Sequence, residues 1–514
     1  MEWSPVGNLA LPSGMAFAVS AICVLLSVLV ILFWRQSYQL RCIPGPNPLH
    51  SVLGQSLDAF AGVATWSTTG TFPEPFLTYT MRYGGAYRMR ELWYNVVHIA
   101  DPVAIQHILL ANAANYPRDG MVQHFLNDTL LGVGLLGMNG VQHSKTRKML
   151  NPHFTTSQIK ALLPIVNAQL QKTVARLAAS VGDVDMGHVL KELTLGVIGL
   201  AAFGMDFETY SQAHTAYKAY QDPPSAFTLV GMVTVPGFLR LPLPELVRRR
   251  AMQAALKTTI TDVIESKLAP SEDRRRPLDL LDGMLPHLTT KEAVAHTMTF
   301  LFAGHETSSS ALAWVLATLT EHPQWAVSIQ QEYRHVVAKH GSLAKWEAMQ
   351  ELATTLAVIQ ETMRLRPVVY TLIPRRPLRD DHVLLSDGTS MFIPQNTKLE
   401  FNVASIHRNP RYWTRPSAFL PERFLDDTAE YKADLALRGG RSHAFVYMPF
   451  SAGAASCIGY RFALAEMQMI VATLVSSFEF DLTTKADLGP AFNGVTLSPT
   501  KLNMSVRAVG APKA

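Results

Sequence analysis

The chain has 514 residues, 48% of them hydrophobic and 17% charged, which suits a large buried core and excludes global disorder. Its 45 basic and 40 acidic residues give a formal charge of 45 − 40 = +5 with no long Lys/Arg block, which argues against a nucleic-acid binder and still allows a local basic docking face. The 3 cysteines, Cys23, Cys42 and Cys457, rule out a disulfide scaffold, and with no CxxC or Cys/His cluster a structural zinc site is not expected.

Met15 to Trp34 is an uncharged apolar run. At 1.5 Å per residue such a run spans a bilayer core of roughly 30 Å. A cleaved signal peptide is the alternative, but Glu2 replaces the usual basic start and no small-residue cleavage site follows. Arg35 and Arg41 flank the far side, so residues 1–14 are expected in the lumen and the body in the cytosol. Residues 35–48 form a linker. Its Pro44-Gly45-Pro46 core blocks helix continuation and predicts a stiff elbow. Residues 49–514 read as one soluble body.

Within that body, Ala86–Trp93 and Asn95–Ala100 read as paired strands. Asp101-Pro102 then supplies the N-cap and first position of a helix to about Ala111. Gly132–Gly140 reads as loop, and helical periodicity dominates from Val141 to Phe207. The Pro-rich apolar stretch Asp222–Pro244 fits either a membrane-surface contact or internal packing, and Ser271–Pro277 reads as a solvated loop. A long helix is expected from Thr290 to His322, with Pro323 as its stop. Trp325–Lys339 and Leu352–Arg364 are further helices. Short strands and turns follow from Pro367 to Phe401, a last helix covers Gly459–Ser477, and the tail is strand-like. The fold class expected is α+β, predominantly α-helical, with small sheets. No Gly-rich nucleotide motif is present, so the chain is not expected to bind NAD(P) or ATP itself.

Three segments could carry chemistry. Cys457 sits between Phe450, Gly453, Ala455 and Gly459, just before a helix whose first N–H groups and dipole favour a thiolate. From the residues alone it is either a packed cysteine or a ligating thiolate. Ala303-Gly304-His305-Glu306-Thr307 interrupts an apolar helix with groups able to move a proton, although ordinary Ser/Thr content explains it equally well. Glu361 and Arg364 share one helix face at i,i+3, a weak pattern that recurs at Glu245–Arg248 and Glu272–Arg275.

Taken together, these segments resemble the cytochrome P450 family of haem-thiolate monooxygenases. The order A-G-x-E-T, E-x-x-R, P-E-R-F at Pro421–Phe424 and F-x-x-G-x-x-x-C-x-G matches. The apolar anchor and Pro-Gly-Pro elbow resemble microsomal, fungal-like members.

The resemblance implies haem b bound through Cys457, with Phe450 screening the sulfur and Gly453 and Gly459 permitting close approach. It implies that Thr307 and Glu306 organise water and deliver protons for dioxygen activation, with Gly304 leaving room for dioxygen. His143 and Arg147, with either Arg375 or Arg376, would hold the haem propionates. Glu361, Arg364 and Arg423 would form a structural ion network. The family usually has Arg two residues before the cysteine, where this chain has Ala455. That departure implies weakened haem retention.

The implied partners are an NADPH-dependent cytochrome P450 reductase, possible cytochrome b5 and the endoplasmic reticulum membrane. Lys145, Lys148, Arg438, Arg441 and Arg461 are candidates for a basic docking face. Phe125–Leu136, Met298–Ala303, Val368–Ile373 and Phe492–Leu497 are expected to line an apolar pocket for a terpenoid-, steroid- or lipid-like substrate. The alternatives are a reductase-independent haem-thiolate isomerase, dehydratase or peroxygenase, and a degenerate scaffold suggested by Ala455.

Overall fold

The computed structural model describes residues 13–47, 54–91, 94–180, 182–206, 237–269 and 279–510, with scattered positions between 215 and 235. Part of Asp222–Pro244, the Ser271–Pro277 loop and residues 1–12 lie outside the described residues.

The helix Thr290–Glu321 runs through the middle of the molecule. Its start is set locally: Thr289 and Glu292 form a reciprocal capping box that satisfies free N–H groups. Pro323 stops the helix and also opens the next one, Pro323–His340, at a first-turn position where its missing N–H costs nothing. The largest core cluster packs apolar faces of Thr156–Ala178, Met186–Phe203, Pro323–His340, Ala353–Leu365 and Tyr460–Ser477 around the central helix. Met186–Phe203 is apolar and long enough to cross a membrane, but 61% of it is buried, so it is a core helix.

Ten short strands are described: β1 Ala86–Glu91, β2 Tyr94–Ile99, β3 Asp183–Asp185, β4 Asp381–Leu384, β5 Ser390–Ile393, β6 Lys398–Glu400, β7 Phe478–Leu482, β8 Asp487–Phe492, β9 Leu497–Lys501 and β10 Asn503–Ala508. They form sheets of order β1-β2-β6, β3-β10-β7, β4-β5 and β8-β9. In the first, β2 pairs antiparallel with β1 and parallel with β6. This is the helix-rich α+β architecture expected.

Two expectations need correction. The helix opened by Asp101, whose side chain accepts from the Val103 and Ala104 N–H groups, is α-helical only to Gln106 and then widens into a π-turn, His107–Ala111. The stretch Gly132–Gly140, read as loop, contains a 3-10 turn, Leu135–Gly137, and the pocket segment Phe125–Leu136 begins inside a helix, Gly120–Thr129, capped by Asp119.

The apolar run Met15–Trp34 lies within one helix, Ser13–Gln39. Val24, Val28, Ile31 and Trp34 on it are exposed. Its end is fixed to the first sheet. Arg88 Nη1 donates to Ser37 O (3.1 Å), and Asn95 Nδ2 donates to Ser37 Oγ (2.8 Å). The elbow itself joins the sheet edge, because Arg88 N donates to Pro44 O at 2.7 Å. A Cβ on Gly45 would meet Arg88 O at 2.0 Å, so a side chain there would break that contact.

Candidate functional site

Cys457 precedes the helix Tyr460–Ser477, and the turn before it is short. Gly453–Ala455 makes a single 3-10 turn, after which Cys457 N donates to Phe450 O at 2.9 Å. That bond fixes the phenylalanine beside the cysteine. The sulfur faces open space although protein surrounds it. Burial pushes the thiol pKa up, while the Gly459 N–H and the Arg147 guanidinium draw it down.

The two glycines differ in what they serve. Gly453 has φ +71°, and a Cβ there would lie 1.9 Å from Leu109 O in the π-turn. Its small size is needed by the protein's own backbone. A Cβ on Gly459 would meet only a Phe154 carbon at 3.9 Å, so that approach is open.

Four basic groups gather near the thiol. Arg147 Nη1 donates to Ser456 O at 2.5 Å. His143, on the same helix, is buried and its Nε2 has no partner. Arg375 forms a backbone bridge with Arg118, which places both guanidiniums together, and the Nε of each is buried and unpartnered. No carboxylate forms an ion pair with Arg118, Arg147 or Arg375 among the described residues. The cost is visible in their ionisation. Burial, then Arg375 and Arg147, lowers Arg118 to about 9. Burial lowers Arg375 to about 10, and burial followed by Arg118, Arg147 and Arg375 lowers His143 to about 4. A buried group of cations without a counter-ion is suited to an anionic ligand.

Arg375 and Arg376 differ in their partners. Arg376 pairs with Asp119 and donates to Asn396 O at 2.9 Å, so it is engaged elsewhere. Arg118 is a member that the sequence reading missed.

On the central helix, Phe302, Ala303, Gly304 and Thr307 are half-open, whereas Leu301, His305, Glu306 and Ser308–Ala317 are buried. Thr307 Oγ1 donates to Ala303 O at 2.6 Å. The Glu306 carboxylate accepts at Oε1 from Asn493 Nδ2 (2.8 Å) and Thr496 Oγ1 (3.3 Å), with Lys191 Nζ at 3.9 Å. The half-exposed lysine therefore links solvent to the buried acid. Gly304 also packs against a neighbouring helix. A Cβ there would lie 2.9 Å from Ile198 Cδ1, so its missing side chain admits the helix Met186–Phe203.

The ion network is closed. Arg364 Nε donates to Glu361 Oε2 (2.7 Å) and its Nη2 to Oε1 (2.8 Å). Arg423 Nε donates to Glu361 Oε1 at 3.1 Å and its Nη1 pairs with Asp434. All four side chains are fully buried. Asp434 was not singled out in the sequence. Remaining Arg364 donors reach the carbonyls of His407, Pro416 and Ala418.

All four expected pocket segments contribute to one apolar cluster. Phe125, Leu126, Leu130, Met232 and Phe238 pack with Leu136, Phe302, Ile373 and Val495. The expected basic face is incomplete. Lys145, Lys148, Arg441 and Arg461 are exposed, but Arg438 is half-buried, donates to Tyr412 O at 3.1 Å and lies 5.2 Å over the Trp413 ring.

These donors fit haem. An open sulfur, a flat approach at Gly459 and unpaired cations for two carboxylates are what an iron porphyrin requires. Comparison with known proteins agrees. A family model described as Cytochrome P450 matches residues 56–506. Cytochrome P450 4F3 of Rattus norvegicus is 26% identical, covering 93% of this chain and 92% of its own length. Ganoderic acid synthetase of Ganoderma lucidum is 25% identical over 78% of this chain and 82% of its own. The solved haem domain of cytochrome P450DA superposes with a TM-score of 0.74 at 21% identity, covering 91% of this chain and 97% of that one. Motifs, fold and the match over most of the chain converge, and the protein belongs to the cytochrome P450 family of haem-thiolate monooxygenases.

Proposed function

We propose that this monooxygenase is anchored to the endoplasmic reticulum membrane by residues 15–34, with residues 1–14 in the lumen and 49–514 in the cytosol, and that it oxidises a lipophilic small molecule with electrons from an NADPH-dependent reductase. The observation that carries the reading is the group of Arg118, Arg147 and Arg375, which no carboxylate pairs among the described residues, with the neutral His143 imidazole, beside the open Cys457 sulfur.

When bound, haem supplies a redox-active iron at which dioxygen is reduced and split. The chain's own residues do the rest. Cys457 offers the sulfur ligand, with the Gly459 N–H favouring its thiolate form. The four basic groups hold the propionates by charge-assisted hydrogen bonds. Glu306, whose Oε1 accepts from the Asn493 amide beside the Lys191 ammonium, stands next in the chain to Thr307, where it can pass a proton inward. The apolar cluster from Phe125 to Val495 excludes water and orients a lipophilic substrate. Lys145, Lys148, Arg441 and Arg461 offer the reductase, and cytochrome b5 where present, a basic face.

The test is the carbon monoxide difference spectrum of the dithionite-reduced, membrane-expressed protein. A thiolate-type Soret band is expected. A histidine-type or thiol-type band from folded protein would overturn the assignment. Product formation that persists without NADPH would point instead to a reductase-independent haem enzyme.

A further inference from the structure

The β1-β2-β6 sheet carries a second chemical cluster, on the face away from Arg88. Side chains alternate along a strand, and residues in register share a face. Tyr87, Met89 and Glu91 of β1 pair with His98, Val96 and Tyr94 of β2, and Val96 and His98 pair with Lys398 and Glu400 of β6. Three strands thus place Glu91, His98 and Glu400 together. One ligand atom from each lies within 4.8 Å of the others.

His98 is the informative member. It is 2% exposed, and neither ring nitrogen has a hydrogen-bond partner. Leaving such groups without a partner is costly, so buried imidazoles normally have one. The ring is also held still, stacked on Tyr87 at 4.9 Å and 8° with Phe76 at 5.6 Å. The two carboxylates share a single ammonium: Lys398 Nζ lies 3.2 Å from Glu91 and 2.5 Å from Glu400. The cluster therefore holds one more negative than positive group, with an unsatisfied imidazole facing it.

We propose that Glu91, His98 and Glu400 form a zinc site, at which a Zn2+ ion takes the place that the Lys398 ammonium holds between the two carboxylates. One imidazole and two carboxylates are a recognised donor set for zinc, with water as the fourth ligand. Ligand atoms about 3.4 Å apart are required by bond lengths near 2.1 Å, so the three must close by up to about 1.4 Å, within reach of glutamate side-chain rotation. The Glu91 and Glu400 side chains remain 25% and 16% exposed, which gives the ion a way in. Lys398 keeps its proton and swings to solvent. Because β1 and β2 also bind Ser37 and Pro44, the ion would brace the sheet that fixes the amino-terminal helix.

The experiment uses the full-length, haem-loaded protein in detergent. It is stripped with EDTA, dialysed against ZnCl2 and analysed for zinc per chain by atomic emission, which separates zinc from haem iron. One zinc per chain is expected, with a rise in the unfolding temperature. His98→Phe, which keeps the stack on Tyr87, and Glu91→Gln each reduce it to background. Lys398→Met removes the competing ammonium and tightens binding at least tenfold. The two ligand variants remove different donors, so failure of one to fold leaves the other as the test. The proposal is overturned if the wild-type chain binds no more zinc than His98→Phe, if both ligand variants keep one zinc, or if zinc binds only after Lys398 is removed.

Discussion

Two groups of buried charge lie in this molecule and are solved in opposite ways. Glu361, Arg364, Arg423 and Asp434 carry two positive and two negative groups, all fully buried and all paired. Arg118, His143, Arg147 and Arg375 carry only potential positive charge, and several of their donors have no partner. The first group needs nothing from outside and serves the fold. The second is incomplete as protein alone, and its incompleteness identifies it as a binding site. Burial by itself does not distinguish structure from function here; charge balance does.

The largest effect expected is on the closed side. Glu361→Gln keeps the shape of the side chain and removes the charge that two arginines share. Breaking a buried ion network from one side costs about 3–5 kcal/mol. Folded, haem-containing protein should fall sharply in expression and in denaturant midpoint. A variant with a wild-type midpoint would show that the Arg364 and Arg423 contacts to backbone carbonyls suffice.

A lone buried acid tests the same principle without a partner of opposite charge. Glu466, on the helix after Cys457, is buried and hydrogen-bonded to Ser308; burial pushes its pKa up to about 8, with the Ser308 bond acting the other way. Its folded pKa lies above the unfolded value near 4.3, so the native state binds the extra proton between those limits. Stability should therefore fall as pH rises from about 4.3 to about 8 and then level off. Glu466→Gln removes that penalty and should stabilise the protein at pH 8 by roughly 4–5 kcal/mol, with little effect at pH 4. Equal effects at both pH values, read from denaturant midpoints, would show that the carboxyl is not the titrating group.

On the open side the sign should reverse. Arg118→Leu and Arg375→Leu each remove a cation from a group that repels itself. The haem-free protein should gain stability, whereas haem dissociation should speed up by about 10–150-fold, the equivalent of a charge-assisted bond worth 1.5–3 kcal/mol. Transfer of haem to apomyoglobin measures the rate. Loss of stability in the haem-free form would place these arginines with the closed network instead.

What was legible in the sequence was mostly local. Thr289 with Glu292 and the proline at 323 delimit the central helix, and Asp101-Pro102 starts another. The cysteine loop and the Glu361–Arg364 pair were readable because neighbours in sequence supply the geometry. Arg118 was not, because its role depends on a backbone bridge to Arg375, on a strand-like segment far along the chain. Asp119 occupies Arg376 through the same long-range contact, and so sets it apart from Arg375. Gly304 and Gly453 were recognised as necessary, but the surfaces that need them, Ile198 and the Leu109 carbonyl, belong to other elements. Spacing gives the residue type and tertiary contact gives the reason.

The smallest effect expected concerns Ala455, which stands in the 3-10 turn where the family usually has arginine. Considered with His143, Arg147 and one further arginine, the absence predicts a clear loss of haem affinity. Arg118 changes that expectation, because it restores a cation to the group from a different part of the chain. Each propionate needs only its own charge neutralised, and like charges already lower Arg118 and His143. A fourth guanidinium would gain a bond to haem and add repulsion to its neighbours. Ala455→Arg should therefore slow haem dissociation by less than about tenfold, or about 1.4 kcal/mol. In an Arg118→Leu background the same substitution should recover most of the lost retention. A large effect in the wild-type chain would mean that Arg118 does not reach the propionates, and that the open group is one cation short.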